Sequence, residues 1–120
     1  MEIHSHKDLT VWQKAIDLVI AIYELTDKFP KSELYGLTSQ MRRAAISIPS
    51  NIAEGRRRGH KKEFLHFLLN AFSSGAELET QLEIAKRLPE LKVLDYNNAE
   101  TILNEIMRML NVITNKLNSQ

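Results

Sequence analysis

A chain of 120 residues suits one domain and is long enough to bury its own core without disulfides or structural metals. Its hydrophobic and charged fractions, 43% and 26%, are those of an ordinary globular protein, and a formal net charge of +1 gives no bulk attraction to nucleic acid or anionic membranes. The absence of cysteine excludes disulfides and thiolate metal sites.

Residues 1–8 read as a short flexible lead-in to a single domain spanning 1–120. They lack the apolar run of a signal peptide. No later stretch approaches the roughly 18 uninterrupted apolar residues of a membrane span. The chain is therefore expected to be cytoplasmic and independent of membranes.

A first helix is predicted over 11–29, with Thr10 and Gln13 spaced as a capping box and Pro30 as the stop. Its apolar residues cover an arc of about 220°, whereas a helix with one buried face needs a stripe little wider than ~100°. The surplus face, Trp12, Ile16, Val19, Ile20 and Tyr23, points to a contact between subunits. The other reading is a helix deeply embedded in its own bundle.

A second helix is predicted over 34–54, on Leu37, Met41, Ala44, Ile48 and Ile52. Pro49 inside this pattern is expected to bend the helix near Ala45 without breaking it. A third helix over 61–88 carries Phe64, Leu68, Ala71, Phe72, Gly75, Leu78, Leu82 and Ala85. Gly75 in its middle costs about 1 kcal/mol relative to alanine and implies close packing of a neighbouring helix. A fourth helix over 96–117, capped by Asp95 or Asn97, carries Ala99, Ile102, Leu103, Ile106, Leu110, Ile113 and Leu117. Short connections force neighbouring helices to run antiparallel, so the expected fold is all-α, an antiparallel up-and-down four-helix bundle.

Charge is unevenly spread. Arg56, Arg57, Arg58, His60, Lys61 and Lys62 surround Gly59 in one turn between the second and third helices. Clustered guanidinium and ammonium groups suit phosphate oxygens. A solvated turn that aids solubility is the plainer reading. On the wheel of the third helix, Glu79 falls inside the apolar arc near Phe64 and Phe72, where a carboxylate needs a cation. Arg42 or Arg43 is therefore expected to pair with Glu77 or Glu79 as a structural ion pair.

No nucleophile–base set, phosphate loop or dinucleotide fingerprint occurs, and no enzymatic activity, cofactor or small-molecule substrate is expected. His4 and His6 lack a third ligand. Glu63 and His66 have the spacing of a di-metal bundle motif but point away from the core without a second pair. No metal site is assigned.

The strings Asp8-Leu9-Thr10-Val11-Trp12-Gln13-Lys14-Ala15, Phe29-Pro30, Glu33-Leu34-Tyr35-Gly36-Leu37, Gln40-Met41-Arg42-Arg43-Ala44-Ala45, Ser47-Ile48-Pro49-Ser50-Asn51-Ile52-Ala53-Glu54-Gly55 and Glu77-Leu78-Glu79 resemble those of bacterial four-helix-bundle proteins encoded by intervening sequences in large-subunit ribosomal RNA genes. A related branch is the accessory variability determinant of diversity-generating retroelements. The resemblance covers nearly the whole chain. It implies a ring-shaped homopentamer of four-helix protomers. In the retroelement branch it implies a basic ring working with a reverse transcriptase and its RNA. This chain is nearly neutral by comparison, which leaves the turn at 56–62 as its support for RNA or DNA binding. Two readings follow: a homo-oligomer that binds nucleic-acid phosphates without base specificity, or an oligomeric scaffold for a protein partner.

Overall fold

The computed structural model describes residues 5–119. Four helices account for most of them: α1 (Thr10–Thr26), α2 (Ser39–Arg58), α3 (Lys61–Arg87) and α4 (Asn97–Asn118). A 3₁₀ turn, His6–Asp8, precedes α1. A second 3₁₀ turn, Lys31–Glu33, and a π-helical turn, Leu34–Thr38, precede α2. No strand occurs among the described residues. Consecutive helices pack side by side, and α4 returns to lie against α1. The result is an up-down-up-down bundle measuring 51 × 21 × 19 Å.

Each helix contributes one stripe to a common core. Leu18 and Ile22, Met41, Ile48 and Ile52, Leu68, Leu78 and Leu82, and Leu103, Ile106 and Leu110 are all essentially inaccessible to solvent. Each such side chain contributes about 1.5–3 kcal/mol of burial energy. Two glycines let helices approach closely. A Cβ at Gly55 would lie 2.7 Å from the Phe67 Cβ, so α2 and α3 meet there almost backbone to side-chain stem. At Gly75 a Cβ would run into the Met107 thioether of α4, which is the close packing that a mid-helix glycine implies. A polar seam also joins α2 and α3: Ser47 Oγ lies 2.8 Å from Ser74 Oγ, and Asn51 Nδ2 donates to Ser47 Oγ at 2.9 Å.

Several local expectations are corrected. α1 ends at Thr26, three residues before Phe29, and closes through tight turns in which Lys28 and Phe29 amides donate to Leu25 and Thr26 carbonyls. Thr10 does not cap it; Gln13 Nε2 instead donates to the Lys7 carbonyl at 2.8 Å, tying the 3₁₀ turn to α1. The N-cap of α4 is Tyr96, without a side-chain cap, and Asp95 just before it accepts from the Asn97 amide at 2.9 Å.

The second helix also differs from expectation. Residues 34–38 wind as a π turn around Gly36, whose φ/ψ of −105°/−111° is non-helical, and Glu33 steadies it by accepting from the Leu37 amide at 3.3 Å. From Ser39 the helix continues without interruption through Pro49 and carries Arg56, Arg57 and Arg58 as its last turn. It stops at Gly59, the residue with positive φ (74°) among those described, where the left-handed conformation favours glycine. The basic segment is thus mostly helix end, not loop.

Candidate nucleic-acid interface at one end of the bundle

Antiparallel packing brings the C-terminus of α2, the N-terminus of α3 and the C-terminus of α4 to one end. The 3₁₀ turn before α1 packs against α2 there. All six residues of the predicted basic site lie at this end, but they do not act alike.

Arg58 is held inside the protomer. Its Nη2 lies 3.0 Å from Glu54 Oε1, one helical turn back, and its Nη1 lies 3.4 Å from Glu63 Oε2 in the first turn of α3. Its guanidinium also sits 5.3 Å from the Phe67 ring centroid. It works as a clamp across the Gly59 bend and offsets the negative end of the α2 dipole. Arg56 is half-buried, with its guanidinium 5.8 Å from the Phe64 ring centroid. Arg57, His60 and Lys62 are exposed and make no ion pair among the described residues, and Lys61 is exposed beside them. α3 begins without a side-chain cap. Its first amides therefore face the same end, where an anion or water can meet them. Arg57, Lys61 and Lys62 are all exposed at this end, an arrangement suited to phosphate oxygens.

The expected pairing of α2 arginines with α3 carboxylates is not formed within the protomer. Arg42 turns to α1: its Nε donates to Thr26 Oγ1 at 2.9 Å, its Nη2 lies 3.4 Å from Asp27 Oδ1, and its guanidinium stacks 4.3 Å from the Tyr23 ring centroid. The α1 helix ends there, so the cation also meets the negative end of its dipole. Arg43 is exposed. Glu77 accepts from Gln81 Nε2 at 3.3 Å. Glu79 is exposed, because the stripe of α3 is centred on Leu78, Leu82 and Ala85 and its edge runs through the half-buried Phe64 and Phe72. The buried polar residue of α3 is Gln81, 5% exposed, whose Oε1 has no partner among the described residues. Its alternation with Leu78 and Ala85 could have been read from the wheel, but a glutamine carries no charge to draw attention.

Of the surplus face of α1, Trp12 and Val19 pack against the protomer's own core. Trp12, Ile16 and Val19 are half-buried, while Ile20 and Tyr23 are 54% and 39% exposed. Trp12 meets the His6 ring edge-on, with centroids 5.1 Å apart. His4 lies outside the described residues, and among those described no three His, Asp or Glu residues gather where they could hold a metal. Glu63 is spent on Arg58, and His66 stands near Asn70 and Phe67. Among the described residues, no helix is long and apolar enough to cross a membrane. Tyr35, set out almost wholly into solvent by the π turn, is the prominent surface residue that sequence reasoning missed.

The sequence model of one family, described as 23S rRNA-intervening sequence protein, matches residues 7–112. No curated protein matches the chain.

Proposed function

The chain belongs to the 23S rRNA-intervening sequence protein family, and on that premise we propose that it is a non-enzymatic, cytoplasmic homo-oligomer that binds RNA phosphates through the end of the bundle bearing Gly59. The observation that carries this reading is the split within the basic cluster. Arg58 is neutralised by Glu54 and Glu63, whereas Arg57 and Lys62 are solvent-facing cations without an ion-pair partner among the described residues. The ring-shaped pentamer implied by the resemblance would repeat that end around one rim. Several weak contacts on one strand then combine through effective concentration, which offsets the near-neutral charge of a single chain. The likeness to the retroelement determinants favours RNA over DNA as the ligand.

Phosphate contacts carry no sequence information, so affinity should be similar for unrelated single-stranded RNAs of equal length. Titration of two such RNAs, labelled and of different composition, tests this. Affinities within a few-fold of each other are expected, and a preference of a hundredfold or more would replace the phosphate mode with base readout.

The second reading, an oligomeric scaffold for a protein partner, draws on the exposed apolar face of α1 at Ile20 and Tyr23. It becomes the better one if no RNA binds at low salt.

A further inference from the structure

A groove of about 340 Å³ opens between α1 and α2, lined in part by Tyr23, Leu34, Tyr35, Arg42, Arg43 and Ile46. Its apolar members are unusually bare: Leu34 is 45% exposed, Ile46 41% and Tyr35 92%. Through Tyr23 it continues into the outer face of α1. Arg43 stands at this groove with no anion from its own chain among the described residues. A solvated aromatic ring and an unpaired guanidinium contribute little to the protomer that presents them.

A second groove, about 510 Å³, lies on the outer face of α3. It is lined by Ala76, Glu79, Thr80, Glu83, Ile84 and Arg87. Glu83 is held by Arg87 at 2.9 Å, but Glu79 has no cation in its own chain among the described residues, and Ile84 is 47% exposed. The Lys86–Glu100 bridge of 3.0 Å places this flank beside α4, away from α1 and the first groove.

The two grooves are also at matching heights. The Ser47–Ser74 hydrogen bond sets α2 and α3 level at those residues. Counting equally along both antiparallel helices from there brings Arg43 level with Leu78, next to Glu79, and Ser39 level with Leu82, and the π turn carries Tyr35 further toward the same end. Rotation about an axis parallel to the bundle keeps every residue at its own height. In any such assembly Arg43 of one copy therefore stands level with the Leu78–Glu79 turn of the next, and Tyr35 lies beyond the level of Leu82, toward the Ile84–Arg87 end of the α3 groove.

We infer that the Tyr35–Arg43 groove docks on the Glu79–Ile84 groove of a second copy of this chain, with Tyr35 packing over Ile84 and Arg43 pairing with Glu79. This rests on the homo-oligomeric reading above and names its contact surfaces. The contact joins two different surfaces, so it is heterologous and propagates until a ring closes. It also lies at the opposite end from Gly59, which leaves the basic rim open.

Sedimentation velocity on wild type, Arg43→Glu, Glu79→Arg and the double exchange provides the test. Each single exchange should weaken self-association about tenfold or more, by placing like charges together, and the double exchange should restore most of it. Because the chain has no cysteine, a second readout is available: Tyr35→Cys mixed with Ile84→Cys should form disulfide-linked dimers under mild oxidation that neither variant forms alone. A wild type that stays monomeric overturns the homo-oligomeric reading and this inference together. A wild type that assembles, with single exchanges that assemble equally well and no cross-linked dimer, overturns this inference alone. If Arg43→Glu lowers RNA affinity while leaving association unchanged, the groove belongs to RNA and not to a second copy.

Discussion

Arg42 shows how one side chain can be misassigned by charge alone and then explained by geometry. A guanidinium at that height on α2 faces the last turn of α1, where Thr26 Oγ1 already donates to the Ile22 carbonyl at 2.7 Å and can accept from Arg42 Nε. The Asp27 contact adds little, since that carboxylate is 85% exposed. The hydrogen bond and the stacking on Tyr23 dominate. Arg42→Ala should cost about 1–2 kcal/mol, and so should Thr26→Val, which leaves the Arg42 Nε–H without its acceptor. The two together should cost less than their sum, as a urea-unfolding double-mutant cycle will show. Tyr96 gives a pH-dependent counterpart. Its hydroxyl donates to the Leu91 carbonyl at 2.8 Å, and burial pushes its pKa above the usual value near 10. The folded chain therefore keeps this proton at pH values where the unfolded chain has lost it, so stability falls as pH rises past the unfolded value. Tyr96→Phe should flatten that alkaline decline in thermal melts between pH 9 and about 11.

At the level of elements, the four helices were legible because apolar residues recur at helical spacing between few breaks, such as Pro30, Gly59 and Pro89. Their ends were less legible, since a cap depends on which of several side chains reaches an amide. Thr10 and Gln13 had the right spacing, yet Gln13 found the Lys7 carbonyl instead. The π turn at Gly36 left no periodic signal, because the apolar stripe read from the sequence begins only at Leu37, after that glycine. The basic cluster was legible as composition. The division of labour within it was not, because α2 had to continue to Gly59 before Glu54 and Glu63 could both reach Arg58. Glycine packing yields a contrast to measure. At Gly55 an added methyl meets the Cβ of Phe67, which is anchored to backbone, whereas at Gly75 it meets the end of the flexible Met107 side chain. Gly55→Ala should destabilise by about 1–3 kcal/mol despite the better helix propensity of alanine. Gly75→Ala should lie within about 1 kcal/mol of wild type, as Met107 can take another rotamer. Chemical denaturation of both variants decides between them, and equal large losses would mean that Met107 cannot move.

For the whole molecule, the two ends of the bundle differ in surface. Apolar surface at the Tyr35 end suits contact with another copy, while the Gly59 end presents Arg57, Lys61 and Lys62 to solvent. Self-association at micromolar concentration is expected in sedimentation equilibrium, and a strict monomer would remove the multivalency on which the proposed RNA affinity depends. The most direct test of that affinity is a titration of labelled single-stranded RNA at several salt concentrations, with wild type and the Arg57→Ala/Lys62→Ala variant. Arg58 is left in place because its loss would strand Glu54 and Glu63 and disturb the bend. Binding by wild type should weaken with salt at a log–log slope of about −0.7 per neutralised phosphate. The variant should bind more weakly, with a shallower slope and an unchanged oligomeric state. Equal affinity and equal slope for the two proteins would contradict the assignment of RNA binding to this end of the bundle.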